Sequence, residues 1–271
     1  MHRHDVHLGS RTLSYLDSSP DAADARVAVL IHAFPLAAAM WEPQLETAPP
    51  GWRFITPDLG GFGGSPLVDG DGEPSIDDYA ADVIDLLSAL GIEHAVVGGL
   101  SMGGYVTFAV LRRAPALIEG LVLADTKAGA DSPEARANRQ HMLALLDRGG
   151  PPAIAREMLP KLLGSASRRE RPDLEDRVRR LIEQQSAPAI QRAIARLMDR
   201  PDATPQLAGV QVPTLVIVGS EDHVTPVAEA QRIADAIPGA TLVVIANAGH
   251  LSSLEHADEF SAVLSTFLSR L

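Results

Sequence analysis

Cysteine is absent from the 271-residue sequence, which excludes disulfide bonds and thiolate catalysis. Proteins without disulfides are typical of a reducing compartment, so we expect a cytoplasmic protein. The first residues lack the apolar core of a secretion signal, and no apolar run reaches the length of a membrane-spanning helix. The sequence therefore predicts no membrane partner.

Positive charge is also scarce, because 23 lysines and arginines stand against 35 aspartates and glutamates, for a net charge of −12. This acidic balance disfavours binding to nucleic acid. Lysine occurs only at Lys127 and Lys161. His2, His4 and His7 stand close together, but no cysteine or carboxylate cluster joins them. We expect these histidines to be exposed on an edge strand, and we expect neither a metal ion nor another cofactor.

Short apolar runs alternate with helical patterns over most of the chain. Two strands are predicted around the hairpin turn Gly9-Ser10, and further strands at residues 27–31, 54–56, 121–125, 213–218 and 241–245, and in the apolar run that begins at Ala95. Strands that alternate with helices indicate an α/β fold, here a mostly parallel eight-stranded sheet flanked by helices. Active sites in such sheets lie at the carboxyl ends of the strands.

The alternation stops between Thr126 and Pro205, where the pattern predicts helices only. Four apolar stripes indicate four helices, at residues 133–146, 154–162, 174–182 and 190–198, with Pro160 ending or kinking the second. We interpret them as a helical cap inserted after the sixth strand. This predicts a core in two parts, 1–125 and 206–271, with the cap at 126–205.

The chain is organised around a Gly-x-Ser-x-Gly motif formed by Gly99, Ser101 and Gly103. A buried strand precedes the motif and a helical pattern follows it, which is the layout of a nucleophile elbow. Small residues are needed two positions on either side of the serine, because larger side chains would collide with neighbouring backbone. The motif predicts that Ser101 is a nucleophile, with the positive end of a helix dipole beside it.

Two loops at predicted strand ends lie earlier in the chain. In His32-Ala33-Phe34-Pro35, the small residue after the histidine allows the backbone N–H of Phe34 to face the top of the sheet. The glycine-rich segment 57–65 lacks the Gly-Lys-Ser/Thr ending of a phosphate-binding loop. We therefore expect Asp58 to fix a turn with its side chain rather than to contact a phosphate.

A serine hydroxyl needs a base to take its proton and a third group to orient that base. His250 follows the last predicted strand and is the best base, and Asp222 is the best orienting carboxylate because it also follows a strand. The order Ser101, Asp222, His250 is the one expected for this elbow. Asp125 is the alternative acid. The N–H groups of Met102 and Phe34 are the predicted oxyanion hole.

These motifs resemble those of the α/β-hydrolase superfamily over nearly the whole chain. Residues 32–35 resemble its oxyanion loop, except that Ala33 replaces the usual glycine, and 57–65 resemble its Pro-Asp-x-x-Gly-x-Gly-x-Ser turn. Glu255 stands at the family's usual acidic position after the histidine. The resemblance is strongest to small capped bacterial serine esterases and 3-oxoadipate enol-lactonase-like enzymes, and Ser101 disfavours dehalogenases and epoxide hydrolases, which use aspartate there.

The sequence thus predicts a cofactor-free hydrolase that cleaves a small carboxylic ester or lactone. The predicted substrate contacts share an apolar character and proximity to the motifs; they are Leu36, Trp41, Met142, Val224 and Leu251. The same triad also allows perhydrolysis of the haloperoxidase type or carbon–carbon bond hydrolysis, and a non-catalytic ligand receptor is a further alternative. The predicted cap carries a net charge of +4 against −16 elsewhere. Its arginines either pair locally or attract an anionic substrate or, less expectedly, an acidic carrier protein.

Overall fold

The computed structural model describes residues 2–22, 24–68 and 73–271; the others fall within the predicted segment 1–125 and lie outside the described part. The described strands are β1 (His2–Leu8), β2 (Arg11–Asp17), β3 (Arg26–Ile31), β4 (Trp52–Pro57), β5 (Ala95–Leu100), β6 (Ile118–Ala124), β7 (Thr214–Gly219) and β8 (Thr241–Ile245). The described α-helices are α1 (Glu42–Glu46), α2 (Ile76–Ala89), α3 (Met102–Arg113), α4 (Pro133–Leu162), α5 (Ser165–Glu170), α6 (Pro172–Glu183), α7 (Ala187–Met198), α8 (Val227–Ala236), α9 (Ser252–Glu255) and α10 (Ala257–Leu268).

The eight strands form one sheet in the order β1-β2-β4-β3-β5-β6-β7-β8. The pairs β1–β2 and β2–β4 are antiparallel, and all the other pairs are parallel. Leu8 pairs with Arg11, so Gly9 and Ser10 form the predicted two-residue hairpin loop, with Gly9 at φ +64°. The predicted fold class, an α/β fold with a mostly parallel eight-stranded sheet, is confirmed.

The central strands are apolar throughout because helices cover both of their faces. Every residue of β5 and of β7 is buried. The edge strand β8 differs, since Ile245 alone among its residues is buried. Continuous apolar runs therefore predicted the middle of the sheet more directly than its edge.

Local signals set both ends of α2, and a backbone break divides the last helical segment. Ser75 caps α2 through a capping box with Asp78, and Gly91 follows the helix at φ +68°. The last helical segment is split into α9 and α10 at His256, whose φ/ψ of −128°/59° is not helical. The split keeps Glu255 beside the loop that carries His250, because its carboxylate accepts a hydrogen bond from Gly249 N at 2.9 Å.

Helices α4 to α7 fill the stretch between β6 and β7. The first two predicted helices are the two halves of α4, which breaks at Gly150 (φ 61°, ψ −164°), and Pro160 lies in its last turn. The short α5 was not predicted. The segment boundaries 1–125, 126–205 and 206–271 stay a prediction. Within the described part of the chain, no helix has the length and apolar character needed to cross a membrane.

Candidate functional site

Ser101 lies at a sharp turn between β5 and α3, with φ 56° and ψ −110°. The turn brings backbone segments so close that a Cβ atom on Gly99 would lie 2.4 Å from the carbonyl carbon of Gly103. A Cβ on Gly103 would lie 2.1 Å from the carbonyl oxygen of Ile31. The two glycines of the motif are therefore required by contact with backbone, and the strained conformation of Ser101 is of the kind found at functional sites.

Two backbone N–H groups, those of Met102 and Phe34, have no partner among the described residues. Met102 is the first residue of α3, and Phe34 follows the end of β3, which touches Gly103 of the elbow. Neither N–H donates a hydrogen bond to any residue in the described part of the chain. Unpaired N–H groups at a helix N-terminus are available to a developing negative charge, which supports the predicted oxyanion hole without testing it.

The side chains of His32 and Asp58 hold the loop that carries Phe34 through hydrogen bonds to nearby backbone. Nε2 of His32 accepts a hydrogen bond from Leu59 N at 3.1 Å, and burial lowers the pKa of His32, so this imidazole is neutral. Asp58 accepts hydrogen bonds from Ala38 N at 2.7 Å and from Gly64 N at 2.9 Å. The prediction that the Asp58 side chain fixes a turn is therefore confirmed.

Asp222 and His250 meet at the carboxyl ends of β7 and β8. His250 Nδ1 lies 2.8 Å from Asp222 Oδ2. Burial opposes the charge on each, but their mutual attraction outweighs it, so the pKa of His250 is raised and the pKa of Asp222 is lowered. The Ser101 hydroxyl has no hydrogen-bond partner among the described residues, and Nε2 of His250 is the ring nitrogen left to receive a proton.

Asp125, the alternative acid, is occupied elsewhere. Its carboxylate accepts hydrogen bonds from Gly219 N at 2.8 Å and from the hydroxyl of Ser252. Burial, and then the charge of Asp222, raise the pKa of Asp125 well above its usual range. A carboxyl group bound in this way suits a structural role beside the pair formed by Asp222 and His250.

The sequence interpretation missed two threonines that hold the site. Thr225 donates from its hydroxyl to Asp222 Oδ2 at 2.7 Å and from its backbone N–H to Oδ1 at 2.9 Å. The Thr126 hydroxyl donates to the carbonyl oxygen of Ser101 at 2.8 Å. The spacing Asp-x-x-Thr is a signal for such a turn around a carboxylate, whereas no local pattern links Thr126 to Ser101.

The predicted substrate contacts fall into two groups. Met142 and Val224 line one cavity of about 300 Å³, together with Tyr105, Met158 and Leu162.

The other three predicted contacts, Leu36, Trp41 and Leu251, are fully buried and are not among the described residues that line this cavity. Trp41 packs against Phe260 of α10, with ring centroids 5.8 Å apart. Trp41, predicted as a substrate contact, therefore packs in the core beside α10. The roles of these three residues at the substrate stay a prediction.

Several arginines of the helical insertion pair with acidic residues. Arg177 lies 2.9 Å from Glu42, Arg179 lies 2.9 Å from Glu175, and Arg196 lies 3.0 Å from Asp78. Arg179 pairs within its own helix, as the local-pairing interpretation predicts, whereas Arg177 and Arg196 pair with acids outside the insertion. Attraction of an acidic carrier protein stays a prediction.

Known proteins resemble this chain in sequence and in fold. The model of the alpha/beta hydrolase fold family matches residues 27–257. The RutD protein of Variovorax paradoxus, named as a carbamate hydrolase, is 30% identical over 252 residues, which cover 92% of this chain and 94% of that protein.

Two solved structures extend the comparison. An esterase from Thermogutta terrifontis, solved with malate bound, is 34% identical, with a TM-score of 0.92 and coverage of 100% and 99%. The enol-lactonase from Burkholderia xenovorans is 27% identical, with a TM-score of 0.89 and coverage of 98% and 100%. The resemblance stated from the motifs is confirmed, and the chain belongs to the alpha/beta hydrolase fold family.

Proposed function

We propose that this chain hydrolyses a carboxylic ester or lactone through an acyl-enzyme on Ser101. His250 Nε2 takes the hydroxyl proton while Oγ of Ser101 attacks the carbonyl carbon. The N–H groups of Phe34 and Met102 bind the oxyanion of the tetrahedral intermediate. The intermediate collapses with loss of the alcohol, which receives its proton from His250. Water then attacks the acyl-enzyme with His250 again as base, and Ser101 is released.

The observation that carries this proposal is the 2.8 Å contact between His250 and Asp222 at the same sheet edge as the strained turn of Ser101. The contact orients the imidazole, and burial of Asp222 makes its charge effective. The likeness to an esterase and to an enol-lactonase supports an ester or lactone as substrate. Hydrolysis by this route requires only the side chains and backbone groups named above.

A carbamate is the second candidate substrate, because the RutD protein is 30% identical over 92% of this chain. A carbamate presents the same carbonyl carbon to Ser101 and differs in the group that leaves. The alternatives that share the triad, perhydrolysis and carbon–carbon bond hydrolysis, differ in the attacking or the leaving group. A ligand receptor on this fold would bind without steady turnover.

The test is a substrate panel measured with wild type, Ser101→Ala and Ser88→Ala. The panel holds 4-nitrophenyl esters and lactones of graded size, an aryl carbamate, a β-diketone, and a peroxide-dependent halogenation assay. We expect steady turnover of an ester or lactone after a burst of product. Ser101→Ala is expected to lose more than about a thousandfold in kcat/KM, since triad losses exceed that factor. Ser88 is exposed on α2, and its variant is expected to match wild type.

Residual hydrolysis by Ser101→Ala above about a thousandth of wild type would contradict the assignment. Higher kcat/KM for the carbamate, the diketone or the halogenation reaction would move the function to that reaction while keeping the triad. A stoichiometric burst with no turnover after it would favour the receptor.

A further inference from the structure

The cavity of about 300 Å³ that Met142 and Val224 line also has a basic wall. Lys127 follows β6, and Arg139 projects from α4 into the same cavity. Their side chains are 22% and 19% exposed. Two cations that are largely removed from water beside an open cavity are costly unless an anion accompanies them.

Asp131 is the acidic side chain shared by these cations, and a third cation already binds it. Arg200, with a side chain 2% exposed, binds Asp131 Oδ1 at 2.6 Å. Arg139 reaches Asp131 Oδ2 at 3.2 Å through Nε, and Lys127 Nζ is 3.6 Å from Oδ1. One carboxylate thus serves three cations, which leaves an excess of positive charge at the cavity.

The cavity keeps hydrogen-bond donors, on Lys127 and Arg139, that are available to a ligand. In the described part of the chain, Lys127 Nζ donates no hydrogen bond, and the two terminal amino groups of Arg139 have no partner. Lys161 and Glu157 also line the cavity, but they pair with each other and together carry no net charge. His141 and His223 also line the cavity. A carboxylate is the ligand group that such a set of donors prefers.

Two residues that line the cavity, Tyr105 and Val224, connect it to the proposed triad. Tyr105 lines the cavity one helical turn after Ser101, about 6 Å along α3. The Arg200 guanidinium stacks on the Tyr105 ring at 4.0 Å. Val224, on the same cavity, donates its N–H to Asp222 at 2.8 Å. The cavity is therefore linked to Ser101 through α3 and to Asp222 through the loop after β7.

We propose that Lys127 and Arg139 form a subsite for a carboxylate of the substrate, so that the chain prefers esters or lactones that carry a carboxylate. This inference rests on the proposed function and adds the substrate class. Tyr105 forms the apolar floor between the subsite and Ser101, and Arg200 with Asp131 holds the subsite in place.

The experiment compares two esters, 4-nitrophenyl hydrogen glutarate and its neutral counterpart 4-nitrophenyl valerate. The measured quantity is the ratio of their kcat/KM values, which corrects each variant for a general loss of activity. Lys127→Met and Arg139→Met are each expected to lower the ratio at least about tenfold, because each removes a charge-assisted hydrogen bond. Lys127→Arg is expected to restore most of it.

The matched control is Arg136→Met. Arg136 lies one turn before Arg139 on α4, pairs with Asp199 at 3.1 Å and does not line the cavity. Its variant removes one positive charge from the same helix and is expected to keep the ratio of wild type. Circular dichroism and thermal unfolding check that each variant folds.

A second readout does not need hydrolysis. Calorimetric titration with glutarate is expected to detect binding to wild type that weakens with salt and with Lys127→Met or Arg139→Met. A fall in the kcat/KM ratio smaller than about tenfold in both methionine variants, or an equal fall in Arg136→Met, overturns the subsite while leaving the proposed function standing. If neither ester is hydrolysed, the proposed function fails, and the titration alone then tests the subsite. In that case, no binding of glutarate, or equal binding by wild type and all variants, overturns the subsite.

Discussion

Ser101 combines a strained backbone with several hydrogen bonds that hold it there. A non-glycine residue at φ 56° and ψ −110° costs on the order of 1–3 kcal/mol. The Ser101 N–H donates to the Ala124 carbonyl at 2.9 Å, and the Ser101 carbonyl accepts from Gly104 N and from Thr126. These bonds offset the strain and fix the hydroxyl at the sheet edge.

The two buried aspartates near His250 are expected to differ in importance. Asp222→Asn removes the carboxylate that binds Nδ1 of His250, and a loss on the order of 10⁴ in kcat has precedent in a serine protease. Asp125→Asn keeps an oxygen for the N–H of Gly219 and replaces a group whose pKa is already raised, so its loss is expected to stay below about tenfold. Values of kcat/KM for both variants check this; comparable losses would move the acid to Asp125.

The pH dependence follows from the pKa of His250. Its proton must be absent for it to act as a base, so kcat/KM is expected to rise with pH through that pKa. Burial alone would lower the pKa, but Asp222 raises it, so the midpoint is expected above the ordinary value of about 6.5. In Asp222→Asn the carboxylate is gone while burial stays, and the midpoint is expected to move to lower pH.

The measurement is a profile of kcat/KM against pH with a neutral ester that does not titrate in the range. The residual activity of Asp222→Asn is followed in the same buffers. Two results would show that a group other than His250 controls the rise of kcat/KM with pH. One is a wild-type midpoint at or below about pH 6.5, and the other is a midpoint in Asp222→Asn that does not move to lower pH.

At the scale of elements, the contact between α3 and β3 depends on Gly103. A methyl group there would meet the carbonyl oxygen of Ile31 at 2.1 Å, and neither backbone can give way without moving an element. Gly103→Ala is expected to lower the free energy of unfolding by about 1–3 kcal/mol, as overpacked cores do. Gly209→Ala is the control, because its added methyl has no atom within 4 Å. Denaturant unfolding of both variants measures the difference, and equal stability would contradict this account of the elbow.

At the scale of the whole molecule, the helical insertion is tied to the two loops that carry Asp222 and His250. The end of α4 accepts a hydrogen bond from Leu251 N through the Leu162 carbonyl at 3.1 Å. Gly164 N donates to Glu255 at 2.7 Å, and Ser165 N donates to Glu221 at 2.7 Å. The insertion is therefore joined directly to Leu251, which follows the proposed base, and to Glu221, which precedes the proposed orienting acid.

Removal of the Glu255 carboxylate is expected to weaken this junction. Glu255→Ala leaves the N–H groups of Gly164 and Gly249 without their acceptor, at about 1–3 kcal/mol for each buried group. A loss of that size lowers Tm by about 2–4 °C per kcal/mol in a chain of this length. Glu259→Ala, an exposed position on α10, serves as the control. Calorimetric Tm values check the prediction, and equal Tm values for the two variants would contradict it.

The sequence by itself determined the eight-stranded sheet, most of the helices and the loops at the carboxyl edge of the sheet. Continuous apolar runs at central strands, the hairpin turn at Gly9 and the caps of α2 are local signals, because each arises from residues next to one another. The triad candidates also came from local signals, since each follows a strand and the carboxyl ends of parallel strands meet at one edge.

Tertiary structure alone decided how distant residues meet. The contact of Thr126 with Ser101 and the bonds of Glu255 to Gly164 and Gly249 join separate segments, and no periodicity encodes such pairs. The apolar side chain of Trp41 suits both a core and a substrate site, so only the folded chain decided that it packs against Phe260. The shared use of Asp131 by three cations likewise exists only after β6, α4 and the end of α7 are assembled, because charges act through space rather than along the chain.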